Sequence, residues 1–407
     1  MNKKDKTKWF IGGAAVALLA AALLYFGYML IPDGVRPAAP DSLQALKKTK
    51  QIERVIDRYY LGDKDLLAQT EMMYTGLVAG LEDPYSRYYT EEQYQELKNQ
   101  RAGEYTGIGI TIAQQAADGE IMILDVQAES PADRAGLKAE DILVSVAGRD
   151  VSGMTTSEVV SLIRENDGRE IQVTLMRDKE KDPVTVNVTP GTVESVTVTG
   201  EIIADHTGLI RISRFAGVTA DQYRQIYADL KKQGMEKMIL DLRGNGGGLV
   251  ESACSIAETI LPEGVIVYEE DRSGNRRDHN GKGAEDFNLP LAVLVDGNTA
   301  SAAEILTGAI QDYGVGTVVG TKTYGKGIVQ NLFHLSDGSV IQLTVTHYYT
   351  PKGSDIHEKG ITPDLVVEAA DESAQTAAED AAAAGDADQD SSVDDPQLQA
   401  ALEVLMQ

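Results

Sequence analysis

Two residues in the stretch 297–330, Ser301 and Lys326, are of types that could carry out nucleophilic chemistry. Ser301 follows an apolar predicted strand, Leu291–Val295, and stands at the start of a helical pattern. A serine at such a strand-to-helix turn exposes its hydroxyl beside backbone N–H groups that can stabilise an oxyanion. Lys326 lies between two glycines, and it is a useful base only where burial lowers its pKa from about 10.4. The pair predicts a Ser–Lys hydrolase; the alternative is an N-cap serine and a surface lysine.

A glycine-rich run at residues 243–248, RGNGGG, follows a second apolar predicted strand and precedes a helical pattern at 249–261. A glycine loop between a strand and a helix presents backbone N–H groups to an anion. The anion could be a phosphate or a developing oxyanion, and a purely structural turn would have the same local sequence. The run is therefore a candidate anion site whose occupant the pattern leaves open.

Rival chemistries are disfavoured by the surrounding residues. The segment 320–326, GTKTYGK, almost matches a phosphate-binding loop, but Gly327 stands where the magnesium-binding Ser or Thr is required. The residues that follow alternate like a strand, whereas a phosphate-binding loop must open a helix. A Ser–His–Asp enzyme would usually need a G-x-S-x-G elbow, and no such motif accompanies the histidines His206, His279, His334, His347 and His357. No HExxH motif or metal-ligand cluster is visible, so we expect no cofactor and no metal.

The composition limits the class of protein. The chain has 407 residues, of which 43% are hydrophobic and 25% are charged, enough for two or three globular domains. Its formal net charge of -26 excludes nucleic acid as an expected partner, because a polyanion would be repelled. The single cysteine, Cys254, rules out an intramolecular disulfide and lies in an apolar helical pattern, which predicts a core residue.

The N-terminus predicts a single-pass membrane anchor. Residues 1–8 form a basic tail, and residues 9–31 carry no charge. Such a run spans about 30 Å of hydrocarbon as a helix. Lysines on the cytoplasmic side would place the rest of the chain outside the cell membrane. A cleaved signal peptide is the alternative, but its apolar region is usually shorter and no convincing cleavage site precedes Pro32.

The first elements that must position the two reactive residues are helical. Residues 32–40 form a Pro/Gly/Ala linker, and residues 41–100 show apolar residues at helical spacing, interrupted at Pro84 in LEDPYSRYYT. We interpret this N-terminal helical region as an arm that packs on a neighbour or on the core, without a catalytic role.

The second half of the chain predicts an α/β core. Strands and helices alternate over residues 191–368, and LSDGS lies between two alternating runs as in a hairpin. Residues 369–394 form an acidic low-complexity linker. Residues 395–407 predict a last helix, capped by Asp395 with Pro396 at its first position.

Residues 101–190 predict a separate module rich in β-strands. The turn formed by Gly107, Ile108, Gly109 and Ile110 would leave successive backbone N–H groups free to hold a carboxylate. An adjacent strand edge and the following helix could accept a peptide by strand addition. A GxG turn alone is more often a hairpin turn, but the full order of strands, PADRAGL turn and helix resembles a PDZ domain.

The motifs together resemble those of the tail-specific serine proteases, the carboxy-terminal processing peptidases. The matching pieces occur in the family's order over roughly residues 42–368: LEDPYSRY, the PDZ-like module, DLRGNGGG, TASAAEI, TYGKGIVQ and YYTPKG…GITPD. The resemblance implies a crotonase-like α/β protease core, with the PDZ domain inserted before it, and serine-type endopeptidase activity. It implies that Ser301 is the nucleophile, that Lys326 is the general base and that Gln330 orients the lysine. It also implies an oxyanion hole formed by the N–H groups of Ala302 and Gly247.

Two positions depart from the family's pattern. Gly246 stands where the glycine loop usually carries proline, so we expect a more mobile oxyanion loop before substrate binds. Ser354 stands where the family often has arginine, which affects only a peripheral contact.

The predicted function is a membrane-anchored serine endopeptidase that recognises the C-terminal tails of protein substrates through its PDZ domain and cleaves them. Its expected partners are peptides or proteins with free C-termini and, through the N-terminal helix, the cell membrane. The sequence leaves open a homodimer or a regulatory protein partner. A peptide-binding adaptor with an inactive core is the alternative of another class. Such an adaptor would lose Ser301, Lys326 or Gln330, and all three are present.

Overall fold

The computed structural model describes residues 41–115, 119–177, 182–284, 287–370 and 395–406. The chain divides into two compact units, residues 1–69 and residues 70–407. The predicted basic tail, anchor and linker at residues 1–40 lie outside the described residues, as does most of the acidic linker. Within the described ranges, no helix has the length and the apolar character needed to cross a bilayer.

Most predicted helices are present, and they are shorter than the helical patterns in the sequence. The helices of the described residues are α1 Asp41–Tyr59, α2 Leu66–Ala79, α3 Glu91–Ala102, α4 Pro131–Ala135, α5 Thr156–Arg164, α6 Thr219–Lys232, α7 Val250–Ala257, α8 Ala302–Tyr313 and α9 Pro396–Val404. The predicted cap of α9 is confirmed, because the Asp395 side chain accepts the N–H groups of Gln397 and Leu398.

The α/β core is built on a six-stranded sheet. Its order is β10 Val198–Ile202, β11 Thr207–Ile212, β12 Lys237–Asp241, β15 Leu291–Val295, β16 Thr317–Gly320 and β19 Leu365–Val366. All of these strands run parallel except the edge strand β10. Every residue of β15 is buried, as expected for a parallel strand that is covered on both faces. Helices α6, α7 and α8 cover one face, and α9 covers the other.

A second, antiparallel sheet contains the strand that follows Lys326 in the chain. It consists of β1 Arg87–Tyr89, β18 Val340–Tyr349, β13 Gly264–Asp271 and β14 Arg276–Gly281, with β17 Ile328–His334 also paired to β18. The predicted LSDGS hairpin joins β17 to β18 and is confirmed. The segment after Gly327 is a strand, as expected, and this agrees with the rejection of a phosphate-binding loop. Strand β1 was not predicted, because Pro84 marked only a break in helical spacing.

The module between the two halves of the chain has its own core. Its sheet contains β3 Ile110–Gln114, β4 Ile121–Val126, β5 Ile142–Val146, β7 Ile171–Met176 and β8 Val184–Val188, with the short β6 Arg149–Asp150 paired to β5. A separate antiparallel ribbon pairs β2 Glu104–Gly107, which precedes this sheet in the chain, with β9 Gly191–Glu194, which follows it. Among the described strands, β3 pairs with β4 alone and forms an edge of the sheet, to which a further strand could be added.

Helix α9 is tied to the core by apolar packing and by an ion pair. Leu398, Ala401 and Leu405 pack against buried side chains of β12, β15 and β16. Arg243, at the start of the glycine loop, donates to both carboxylate oxygens of Asp395, at 3.0 and 2.8 Å. The C-terminal helix therefore holds one end of the loop that follows β12.

Candidate active site

The glycine loop and Ser301 lie side by side because they follow neighbouring strands. Strands β12 and β15 are paired and parallel, so the loops after their carboxyl ends meet at one edge of the sheet. The N–H of Ala300 donates to the carbonyl of Asn245 at 2.9 Å. A Cβ added to Gly247 would lie 2.7 Å from the Cβ of Ser301. Only glycine fits at this position, where the two loops touch.

Ser301 has a strained backbone at the N-terminus of α8. Its φ of +59° and ψ of −119° are unusual for a residue with a side chain, and such conformations cluster at functional sites. Its Oγ accepts a hydrogen bond of 3.0 Å from the hydroxyl of Tyr348. Burial raises the pKa of Tyr348, so this hydroxyl stays protonated and keeps donating. The hydroxyl hydrogen of Ser301 remains available to a base.

One cavity of about 590 Å³ is lined by Ser301, Lys326 and Gln330 together with Gly246 and Gly248 of the glycine loop. The structure thus brings the predicted nucleophile, base and orienting amide to a single space. Ala302 and Gly247 lie beside Ser301 in the chain and in space, respectively. The described residues contain no group of His, Cys, Asp and Glu side chains that could hold a metal ion.

Lys326 is packed closely, and its amine contacts an aromatic ring. A Cβ at Gly327 would lie 2.4 Å from the amide nitrogen of His357, which confirms that the flanking glycines permit close packing. The Nζ atom lies 4.3 Å from the ring centroid of Tyr85. Among the described residues, no hydrogen bond joins Nζ to Ser301 or Gln330, so proton transfer requires the amine to move from the ring towards Oγ.

Burial lowers the pKa of Lys326, as its proposed role requires. The carboxylate of Asp83 acts in the opposite direction, while the positive charges of Arg87 and Arg101 lower the pKa further. The balance favours the neutral amine more than in a free lysine, which is the form that accepts a proton.

The segment interpreted as a packing arm takes part in this cavity. Pro84, Tyr85, Arg87 and Tyr89 line it. Although burial opposes ionisation, hydrogen bonds from the Ser86 hydroxyl and the Tyr85 amide lower the pKa of Asp83. The interpretation missed this arrangement, because an Asp-Pro turn has the same sequence in a passive loop as beside a reactive lysine.

Gln330 is directed into the cavity by an irregularity in its strand. The pairing of β17 with β18 shifts register between Val329 and Gln330, and such a bulge re-aims a side chain. Its Nε2 lies 3.5 Å from the Ile328 carbonyl and 3.4 Å from Thr344 Oγ1. Both bonds are long, so the amide can exchange them for a bond to Lys326.

The predicted oxyanion hole is only partly available in this conformation. As the first residue of α8, Ala302 has an N–H without a partner in the helix. The N–H of Gly247, however, donates to Oδ1 of Asn245 at 2.8 Å. Asn245 is fully buried, and its Nδ2 donates to the Ile212 carbonyl. Gly247 can therefore serve an oxyanion only after the loop rotates its amide away from Asn245.

The largest feature missed from the sequence is Glu304, which is fully buried. Its Oε1 accepts bonds from Thr323 Oγ1 at 2.6 Å and the Gly325 amide at 2.7 Å. Its Oε2 accepts bonds from the amides of Ser301 and Lys326, both at 2.8 Å. One carboxylate therefore fixes the backbones of Ser301 and Lys326 relative to each other. The spacing S-x-x-E was the available signal, but it is also that of an ordinary capping box.

In the β-rich module, the turn from Gly107 to Ile110 requires glycine at position 109. Gly109 has a φ of +82°, and a Cβ there would lie 2.3 Å from the Cβ of Ser130. The carbonyls of Ile108 and Gly109 accept bonds from the amides of Ala132 and Gln127. The turn precedes the edge strand β3, as a carboxylate-binding loop must for strand addition.

Comparisons with known proteins agree with this architecture. The model of peptidase family S41 matches residues 206–367, and a PDZ domain model matches residues 122–177. The chain is 32% identical over 390 residues to a carboxyl-terminal-processing protease of Synechocystis sp. (strain ATCC 27184 / PCC 6803 / Kazusa), covering 90% of this chain and 89% of the relative. It is 29% identical to a probable CtpA-like serine protease of Staphylococcus aureus (strain COL), over 86% of this chain and 70% of that protein. Among solved structures, the photosystem II D1 C-terminal processing protease matches with 30% identity and a TM-score of 0.47, covering 78% of this chain and 86% of that one.

Proposed function

The chain belongs to the carboxyl-terminal-processing proteases of peptidase family S41, a family of serine-type peptidases, and from that premise we propose that Ser301 and Lys326 form its catalytic pair. The observation that carries the proposal is the shared cavity, in which a strained serine, a half-buried lysine and a glycine loop meet. Ser301 Oγ attacks the peptide carbonyl, and the neutral amine of Lys326 accepts the hydroxyl proton. As the tetrahedral intermediate collapses, the C–N bond breaks and the Lys326 ammonium gives its proton to the departing amine, which leaves an acyl-enzyme on Ser301. Water, deprotonated by the neutral Lys326, then attacks the acyl carbon, and the ester bond breaks to release the acid and the Ser301 hydroxyl.

Gln330 orients Lys326 in this proposal, and backbone amides stabilise the oxyanion. Ala302 supplies one amide, and Gly247 supplies the second after it leaves Asn245. An amide side chain suits the first role, because it can hold the amine by a hydrogen bond without adding a charge that would favour the ammonium. The loop rotation would couple substrate binding to activation, since the second donor is occupied until then.

We expect activity to rise with pH, because only the deprotonated lysine accepts the serine proton. Burial lowers the pKa of Lys326, so the apparent pKa of kcat/KM should lie below the ordinary lysine value of about 10.4. The carboxylate of Asp83 favours the ammonium, so Asp83→Asn should move the profile to lower pH. A profile that falls as pH rises across this range would contradict the assignment of the base.

The PDZ domain is proposed to deliver C-terminal tails to the cavity. The peptide adds to the free edge of β3, and the amides of the turn from Gly107 to Ile110 bind its terminal carboxylate. Residues 9–31 would anchor the enzyme in the cell membrane with the protease domain outside the cytoplasm, and a homodimer or a regulatory partner would control it. Flotation of the full-length protein with lipid vesicles tests the anchor against a chain that begins at residue 32.

A peptide with a free apolar C-terminus, compared with its C-terminal amide, tests the function and the tail reading together. We expect the intact enzyme to cleave the free acid, and amidation to lower kcat/KM by about tenfold, since charge-assisted hydrogen bonds are lost. Gly109→Ala should erase the difference, because its Cβ would displace Ser130. Gly191→Ala is the matched control, since a Cβ there meets no atom within 4 Å. Equal cleavage of both peptides by the unaltered enzyme would refute carboxylate reading by this turn.

A further inference from the structure

Two arginines converge on one wall of the cavity. Arg87 of β1 is the direct cross-strand partner of Gln342 in β18, so the two side chains lie on the same face of the sheet. Arg101, at the end of α3, donates from Nη2 to Gln342 Oε1 at 3.1 Å. Gln342 is itself held in place, since its Nε2 donates to the Tyr85 carbonyl at 3.0 Å. Both guanidinium groups line the cavity that contains Ser301.

Arg87 is exposed and Arg101 is half-buried. Some other arginines are paired with carboxylates: Arg177 pairs with Asp141, and Arg243 pairs with Asp241 and Asp395. Within the described ranges, neither Arg87 nor Arg101 forms an ion pair. Both guanidinium charges therefore stay available to an anion that enters the cavity.

Both arginines lie near Lys326. Their positive charges lower the pKa of the Lys326 amine, in addition to the effect of burial. The nearby carboxylate of Asp83 is already bound by the Ser86 hydroxyl and the Tyr85 amide. An arriving anion would relieve the repulsion and find planar donors arranged for two parallel hydrogen bonds.

We propose that Arg87 and Arg101 form a carboxylate subsite of the substrate cavity, which binds a carboxylate of the peptide close to the bond that Ser301 attacks. The proposal rests on the peptidase site described above. The carboxylate is either an Asp or Glu side chain near the cleaved bond or the α-carboxylate of a short tail. Both present the same planar group, and the subsite selects substrates by it.

Pairs of peptides that differ by one carboxylate test the subsite. In the first arm, C-terminally amidated peptides carry Glu or Gln at successive positions on either side of the cleaved bond. In the second arm, one peptide is compared as free acid and amide with a tail of about three to five residues after that bond. The enzymes are the wild type, Arg87→Gln, Arg101→Gln and the control Arg224→Gln, which removes a surface arginine paired with Asp221.

In one of the two arms we expect wild-type kcat/KM to favour the carboxylate peptide by about tenfold, mainly through KM. This preference should fall towards one in Arg87→Gln and in Arg101→Gln and persist in Arg224→Gln. The first arm responds if the ligand is a side chain, and the second responds if it is the α-carboxylate. Because the turn at Gly107–Ile110 is untouched, a tail preference that belongs only to the PDZ domain would survive both arginine substitutions.

Two results would overturn the proposal. One is an unchanged carboxylate preference in both arginine variants. The other is an equal loss for charged and neutral peptides with the pH profile moved to higher pH, which would mean that the arginines act only on Lys326. Binding of the same labelled peptides to Ser301→Ala enzyme, followed by fluorescence anisotropy, measures the subsite without turnover. If the wild type cleaved none of the peptides while the Ser301→Ala enzyme still bound the carboxylate peptides more tightly, the catalytic assignment would fail and the subsite would stand.

Discussion

Ser301→Ala should abolish peptide cleavage, with kcat reduced by on the order of 10⁴-fold or more. The substitution removes the only atom that forms the acyl bond. The strained backbone should be kept, because alanine also carries a Cβ and meets the same neighbours. The substitution also removes the acceptor of the Tyr348 hydroxyl. Cleavage of a quenched fluorescent peptide measures the loss, and thermal unfolding checks that the fold is intact.

Lys326→Ala should be similarly inactive, and the double variant should be hardly worse than either single one. Because the two residues act as a unit, loss of either one removes most of the rate enhancement, and the two losses in kcat do not add. Lys326→Arg should also be inactive, because guanidinium stays protonated and cannot accept the proton. Ser252→Ala is a matched control: Ser252 is a buried serine of α7 whose hydroxyl has no hydrogen-bond partner within the described ranges. Clear activity of Ser301→Ala above a mock preparation would exclude this nucleophile.

The parts of the fold that could be predicted from the sequence are those specified by local sequence patterns. The apolar strands β12 and β15, the hairpin after β17 and the cap of α9 have periods and turn residues that the structure confirms. Cys254 packs against the core as predicted, and burial raises its pKa to about 12. Ser301 and Lys326 were candidates because each stands beside glycines or a strand end, where backbone geometry is special.

The parts that could not be predicted depend on contacts between distant segments. Tyr348 reaches Ser301 across 47 residues, and Tyr85 meets Lys326 from the N-terminal region. Neither tyrosine stands in a pattern that differs from a core or surface tyrosine. The occupied amide of Gly247 is likewise invisible in RGNGGG, because asparagine in a loop can bond to many donors. Sequence patterns identify which backbone segments can form a site, whereas the hydrogen bonds within that site depend on residues that are distant in the chain.

Glu304→Gln should lower kcat by on the order of 10²-fold, because at least two charge-assisted hydrogen bonds are lost. The carboxylate accepts four donors, two on each oxygen. A glutamine has the same shape but one acceptor oxygen, so its NH₂ group must face two of those donors. The better orientation turns the NH₂ towards Thr323, whose hydroxyl can reverse its role. The Gly325 amide then loses its acceptor, and the loop that carries Lys326 shifts.

A purely structural role for Glu304 makes a different prediction. Loss of a buried carboxylate also lowers stability, so activity must be measured well below the unfolding temperature of every variant. Thr307→Val provides the control on the same helix, since it removes a buried hydroxyl that donates to the Ala303 carbonyl. Thr323→Val removes one donor of the carboxylate and the acceptor of the Ile361 amide, but it leaves the amides of Ser301 and Lys326 bonded to Glu304.

If Glu304 positions the reacting loops, Glu304→Gln should lose kcat with little change in KM, since the cavity wall is retained. Thr307→Val and Thr323→Val should then keep kcat within about threefold, even where their unfolding temperatures fall as far as that of Glu304→Gln, because in both variants the carboxylate still accepts the amides of Ser301, Gly325 and Lys326. A kcat that simply follows the unfolding temperature across the three variants would reduce Glu304 to a structural residue. A fall confined to Glu304→Gln would instead mean that the separation of serine and lysine, set by one buried carboxylate, limits the rate of acylation.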